Sequence, residues 1–181
     1  LISMLKNRRL DLVLTAPPLR QIGIECTTIF NEQPIVIYPD GHWLAQHNSI
    51  SIEDLADEAF VGVPEGYGAR DCMNKHFARF GINPNYAIET SETVSAARFV
   101  KKGFGIAIVP KSAVLSNSIP QSNAIELQED LPCPVALSWR EGYALNENEK
   151  LFVDAALSYF NESAAPLLHS TAKLLSSGEH D

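Results

Sequence analysis

The 181-residue sequence predicts an α/β fold with a largely parallel sheet. Two observations carry that expectation. Short apolar, β-rich runs alternate with segments of helical periodicity in the order strand, helix, strand, helix, strand between residues 60 and 109. Helix and strand breakers punctuate the same segments, at Pro64, Gly81, Gly103 and Pro110.

The elements follow in chain order. In "LISMLKNRRLDLVLT", Ile2, Met4 and Leu5 supply a helical apolar face and Asn7, Arg8 and Arg9 a polar turn. Leu10, Leu12, Val13 and Leu14 then form a short buried strand around Asp11, stopped by Pro17 and Pro18. "IGIECTTIF" and "PIVIYP" are two further strands. Ser51 with Asp54 three residues on is a capping signature that starts a short helix. Phe60, Val61 and Val63 form the next strand. Met73, Phe77 and Phe80 recur at i, i+4, i+7 on a helix that Gly81 caps. "NYAIET" is a strand. "SETVSAARFVKKG" is a helix with Val94, Ala97 and Val100 on one face, and Ile106 to Val109 is a fully apolar strand. After the polar connection "SNSIPQSN", "AIELQ" and "PVALSWRE" are strands. The helix "NENEKLFVDAALSYF" has Leu151, Ala155 and Tyr159 on one stripe, with Phe152, Ala156 and Phe160 beside it. Residues 163–181 form a loose tail, and no internal repeat is visible.

Bulk properties exclude several function classes. Hydrophobic content of 45% and charged content of 20% are those of an ordinary globular domain. A net charge of -8 makes the segment a poor binder of phosphate backbones. No apolar run approaches the roughly 20 residues that cross a bilayer. No signal-peptide pattern is visible, although the chain opens without methionine inside an expected helix, which suggests a fragment. Cys26, Cys72 and Cys133 are far apart and odd in number, which points to free, mostly buried thiols in a reducing cytoplasm. A reactive redox switch is the alternative reading.

Candidate motifs narrow the chemistry. In "FVKKGFGIAIVP", Gly103 and Gly105 follow a helix and precede a strand, the reverse of a dinucleotide fingerprint. They are expected to be structural, Gly103 ending the helix and Gly105 allowing close packing. Helix starts that follow strands are better ligand sites, because their N–H groups are free. Two occur: "VPEGYGARD", where Gly66 and Gly68 flank Tyr67 and Arg70 follows, and "ETSETVS", with Thr90 or Ser91 as N-cap. Either can bind a small anion, and either can be an ordinary turn and cap. A third junction is "LTAPP" at the end of the first strand. The five histidines show no metal-ligand spacing, and there is no nucleophile elbow. The acid pairs Asp57-Glu58 and Glu147/Glu149 read as solvated charges. No catalytic set, metal or cofactor is expected.

Several of these segments together resemble the effector-binding domain of LysR-type transcriptional regulators. "LKNRRLDLVLT" resembles the family's helix-turn-strand, and "IVIYPDGHWLAQ" its strand followed by P-x-x-H-P-L-A, with Trp43 where proline is usual. "SIEDLADEAFVGVPEGYGARDCMNKHFARFG" resembles the next strand and helix. "TSETVSAARFVKKGFGIAIVP" is similar to the family's hydroxyl run, V-x-x-x-V helix and G-x-G-I-A-x-x-P. "PVALSWREGYALNENEKLFVDAALSYF" resembles the closing strand and helix.

The resemblance spans about residues 1–162. It implies two Rossmann-like subdomains joined by two crossing strands, a type 2 periplasmic-binding-protein-like fold. Residues 1–36 and 131–162 would form subdomain I, incomplete at its N-terminus, and residues 37–130 subdomain II. The implied function is effector sensing. A small metabolite in the cleft between subdomains would alter a homodimer or homotetramer on DNA. DNA would be contacted only through an N-terminal helix-turn-helix absent from this sequence. The resemblance places the protein in the cytoplasm, away from membranes. Carried over by position, the effector-binding candidates are Thr15, Ala16 and Pro17, then Gly66, Tyr67, Gly68 and Arg70, then Thr90, Ser91 and Thr93. Carboxylate effectors are expected from the family. Glu65, Glu89 and Glu92 lie close by; either they favour a ligand that also carries an amino group, such as an amino acid, or Glu92 merely suits the helix N-terminus. The rival functions are a solute-binding receptor of a transporter and an enzyme on the same two-lobed fold.

Overall fold

The computed structural model describes residues 1–116 and 123–160. The expected tail and most of the "SNSIPQSN" connection lie outside the described residues. The chain separates into two compact units, one formed by Leu1–Asn31 and the chain from Pro134 onward, the other by Glu32–Cys133.

In the first unit, helix α1 (Ile2–Lys6) leads into strand β1 (Val13–Thr15). Strands β2 (Ile24–Glu32) and β9 (Cys133–Arg140) complete a three-stranded sheet in the order β1-β9-β2. β1 runs antiparallel to β9, with Val13 opposite Ser138 and Thr15 opposite Ala136. Helix α5 (Glu147–Ser158) packs on this sheet through Val153, Ala156 and Leu157, against Ile29, Val135 and Leu137. Phe30 and Phe160 stack with centroids 4.3 Å apart.

Two expectations need correction here. The first strand is shorter than its apolar run, because the turn captures Leu10. Arg9 and Leu10 both donate to the Met4 carbonyl, and Arg8 adopts φ 56°. Leu14 consequently lies 56% exposed, on the face opposite Val13. The stripe expected on the last helix is also displaced. Leu151 and Tyr159 are 68% and 58% exposed, and Val153, Ala156, Leu157 and Phe160 face the core. Its N-terminus is set by a capping box missed in the sequence: Asn146 Oδ1 accepts from Glu149 N, and Glu149 accepts from Asn146 N.

The second unit holds the remaining strands: β3 (Pro34–Tyr38), β4 (Ser49–Ile50), β5 (Ala59–Gly62), β6 (Asn85–Glu89), β7 (Ala107–Pro110) and β8 (Asn123–Leu127). Its helices are α2 (Gly68–Arg79), α3 (Thr93–Lys101) and α4 (Lys111–Leu115). The strands β5 and β6 pair in parallel. Val61 N donates to Ile106 O and Ile106 N to Ala59 O, joining β5 to the start of β7 in parallel. The expected strand-helix-strand unit is therefore present. The sheet is nevertheless mixed, since β3 runs antiparallel to both β7 and β8.

Alternation of side chains gives this sheet two buried faces. Val36, Phe60 and Ile125 face one way, where Phe77 of α2 covers them. Ile35, Ile37, Val61 and Val109 face the other, under Ala96, Ala97 and Val100 of α3. Met73 and Phe80 pack on the first cluster, so the helical face expected for α2 is the one buried.

The glycine hinge also has its structural role. Gly103 ends α3 at φ 80°, donating to the Val100 carbonyl. Gly105 takes φ 137°, and a Cβ there would collide with the Ala59 carbonyl oxygen. Backbone contact between β5 and the β7 entry thus requires glycine. The Ser51 cap differs from its expected form. The short 3-10 turn Ile52–Leu55 is capped by Ser51, but Asp54 does not reciprocate. Glu129 supplies a different acceptor there, taking hydrogen bonds from Ser51 Oγ at 2.6 Å and Ile52 N at 3.1 Å.

Candidate effector site

The parallel strands of the second unit deliver three carboxyl ends to one place. Gly62 and Val63 end β5, Thr90 and Ser91 follow β6, and Val109 and Pro110 end β7. The N-termini of α2 and α3 meet the same point, because each helix follows directly on β5 or β6. The result is a cavity of about 250 Å³. Phe60, Val61, Met73, Phe77, Ala96 and Ile108 give it apolar walls. Free helix N–H groups beside apolar walls can hold a small molecule with an anionic or polar head and a hydrocarbon body.

The hydroxyl run behaves differently from a simple cap. Residue Glu92, rather than Thr90 or Ser91, is the N-cap of α3, and no side chain caps it. Thr90 is held back by its own backbone, whose N–H donates to the Gly62 carbonyl at 2.9 Å. Its Oγ1 accepts from Glu92 N at 3.4 Å. The first-turn N–H groups of α3 therefore have no side-chain partner. Thr93 opens the helix beside them and lines the cavity with Thr90 and Ser91.

At the other helix start, Gly66 adopts φ 83° and turns the chain into α2. Tyr67 is the N-cap residue and makes no side-chain capping bond. Tyr67 and Arg70 line the cavity, and Gly66 and Gly68 are absent from its lining.

Arg70 is 7% exposed and fully engaged on one edge. Its Nη1 donates to the Val63 carbonyl at 2.6 Å and to Glu89 Oε1 at 3.0 Å. Its guanidinium carbon lies 3.1 Å from the centroid of the Tyr86 ring. Gly62 makes room for that ring, since a Cβ at Gly62 would overlap it. Tyr86 in turn donates from its hydroxyl to Asn74 Oδ1 at 2.9 Å. Burial pushes the Tyr86 phenol above its ordinary range, Arg70 opposes that shift and Glu89 adds to it. Arg70 Nε is buried with no hydrogen-bond partner.

Gly62, Tyr86 and Asn74 were not singled out in the sequence. Their only signal there is a glycine ending a strand and an aromatic in its neighbour, a pattern too common to point at a site.

The remaining candidates belong to the first unit. Thr15 ends β1, and its Oγ1 is buried without a hydrogen-bond partner. The Ala16–Pro17 peptide bond is cis. Among the described residues no group of histidine, cysteine and carboxylate side chains is arranged to hold a metal ion. Among them, too, no helix is long and apolar enough to cross a membrane.

Comparison with known proteins gives similarities at the level of the whole domain. A family model for the LysR substrate binding domain matches residues 1–161. The HTH-type transcriptional regulator YybE of Bacillus subtilis (strain 168) is 30% identical over 165 residues, covering 90% of this chain and 55% of that protein. The RuBisCO operon transcriptional regulator of Allochromatium vinosum is 31% identical over 109 residues, covering 60% of this chain and 36% of that one. The chain thus spans about half, or less, of the curated relatives it matches. Among solved structures, the effector-binding domain of QuiR in complex with shikimate superposes with TM-score 0.78 at 23% identity, covering 90% of this chain and 77% of that one. The BenM effector-binding domain with benzoate gives TM-score 0.74 at 24% identity, covering 89% and 74%.

Proposed function

The chain belongs to the LysR substrate binding domain family, with its type 2 periplasmic-binding-protein-like fold, and from that premise we infer that it is the effector-sensing part of a transcriptional regulator. The observation that carries this reading is the cavity at the carboxyl ends of β5, β6 and β7. It pairs apolar walls with hydroxyls and uncapped helix N–H groups, and no catalytic acid-base or nucleophile pair lines it.

The proposed ligand contacts are Tyr67, Arg70, Thr90, Ser91 and Thr93, with Gly66 and Gly68 shaping the turn that presents them. Because Arg70 is already bound to Glu89, the anionic head of a ligand is assigned to the α3 N–H groups and to Ser91 and Thr93. Glu92 also lines the cavity and favours an ammonium group. A small carboxylate that also carries an amino group, such as an amino acid, fits both. Thr15, Ala16 and Pro17 are proposed as further contacts on the strength of the unpartnered Thr15 hydroxyl.

On this reading residues 1–36 with 131–162 and residues 37–130 act as the two subdomains. Ligand affinity that differs between two arrangements of the protein would bias a cytoplasmic homodimer or homotetramer on DNA. Calorimetry with amino acids and with dicarboxylates tests the ligand class. Binding of amino acids, weakened at least tenfold by Thr93→Val, is expected; binding of dianions alone would overturn it.

A further inference from the structure

The first unit has a cavity of its own, of about 250 Å³, lined by Leu5, Arg8, Leu10, Asp11, Arg140 and Tyr143. Leu5 is buried and Leu10 half-buried, and the rest of the lining is polar or aromatic. Among the described residues, neither Arg8 nor Arg140 makes a side-chain hydrogen bond or an ion pair, and neither does Asp11. The Arg140 guanidinium carbon instead stands 4.9 Å from the Tyr143 ring centroid. Carboxylates around the Arg140–Tyr143 turn accept from neutral donors. Glu141 accepts from Gly23 N at 3.0 Å, Glu25 from Gly142 N at 3.2 Å, and Glu149 from the Tyr143 hydroxyl at 2.9 Å. Two guanidinium groups, each a fork of N–H donors, thus share one cavity without an acceptor from the fold.

The backbone adds a second observation. Arg8 takes φ 56°, the one positive value outside glycine among the described residues. A side chain at that angle is strained, and glycine would supply the turn without strain. The geometry of the turn therefore does not account for an arginine there. We propose that Arg8 and Arg140 form a binding site for inorganic phosphate, whose lining shares no residue with the effector cavity.

Three features select the ligand. Guanidinium forks match the paired oxygens of an oxyanion and can hold them bidentately. The volume lies below the roughly 300–1,000 Å³ of pockets for larger ligands, so the anion is small. Asp11 decides between small anions. Its carboxylate only accepts hydrogen bonds, so sulfate, which has no proton to offer, meets repulsion there. Inorganic phosphate at neutral pH keeps a P–O–H group that can donate to Asp11. A phosphate monoester loses that proton above a second pKa of about 6, which favours the free ion over a phosphorylated metabolite. Binding at this site needs no occupant in the effector cavity, so its test stands apart from the ligand-binding reading above.

The test is calorimetry on the full chain at pH 7 and low ionic strength, with potassium phosphate, potassium sulfate and glycerol 3-phosphate titrated separately. Phosphate should bind at least tenfold tighter than either of the others. Arg8→Gly removes the guanidinium and relieves the backbone at once. It should unfold at no lower urea concentration than the parent chain, yet bind phosphate at least tenfold more weakly. Arg140→Gln should weaken phosphate by a similar factor. Asp11→Asn supplies a donor and should bring sulfate to within threefold of phosphate. Undiminished phosphate affinity in either arginine variant, or no phosphate binding to the parent chain, would overturn the site. Loss of binding in Thr93→Val but not in Arg8→Gly would place the ion at the start of α3 and overturn it equally. Sulfate or glycerol 3-phosphate matching phosphate would overturn the free ion as its ligand.

Discussion

The Arg70 guanidinium carbon lies over the Tyr86 ring, 3.1 Å from its centroid, while Nη1 is held by Glu89 and the Val63 carbonyl. A charge in that position stiffens the cavity wall, with Nη1 already bonded within the fold. Arg70→Ala should therefore cost stability through lost packing as well as lost charge, about 2–3 kcal/mol. Glu89→Gln keeps an acceptor and sits at a half-exposed position, so about 1 kcal/mol or less is expected. Urea unfolding of the two variants checks the ranking; a larger loss for Glu89→Gln would contradict it.

Tyr86 gives the same wall a pH dependence. Its folded-state pKa is raised, chiefly by burial, so the neutral phenol is the form the fold favours. The associated stability is fully present below the ordinary tyrosine range near 10 and declines as pH rises towards and through the folded value. Tyr86→Phe cannot ionise. It should be less stable at pH 8, having lost the bond to Asn74, and should fall less steeply between pH 9 and 11. Melting temperatures across that range give the two slopes; parallel slopes would rule the tyrosine out.

Local pattern and long-range partnership explain which of these features the sequence disclosed. The strand-helix alternation, the Met73/Phe77/Phe80 face and the Gly103–Gly105 hinge are short-range, and each is visible within one or two turns. The Gly62–Tyr86–Arg70 stack joins two strands and a helix that only the folded sheet brings together. Glu129 caps Ser51 from 78 residues away, a partner no window of sequence contains. On α5 two neighbouring stripes are comparably apolar, so periodicity alone could not choose the one centred on Val153. Of the effector-binding candidates, five line one cavity, and their spacing after β5 and β6 was the visible clue.

Helix α5 offers a control on the first unit. Asn146→Ala removes one half of its capping box and should cost about 1 kcal/mol. Asn146→Asp retains an acceptor next to the helix N-terminus and should cost less than half as much. Chemical denaturation separates them, and no loss in Asn146→Ala would mean the cap contributes nothing.

The hinge glycines give the sharpest contrast, because one has room for a side chain and the other has none. Both have positive φ, 80° at Gly103 and 137° at Gly105. Nothing lies within 4 Å of a Cβ built on Gly103, so Gly103→Ala meets only left-handed strain, about 1 kcal/mol. A Cβ on Gly105 strikes the Ala59 carbonyl, which is itself bonded to Ile106 N at 2.9 Å. Gly105→Ala must therefore part β5 from the β7 entry, and about 3 kcal/mol or more is expected. Separation there also moves Phe60 and Val61, which line the cavity. The variant should lose amide-exchange protection at Val61 and Ile106 first, whereas Gly103→Ala should leave those two amides as slow as in the parent chain. Equal protection in both variants would show that the close approach at Gly105 is not what holds the strands together.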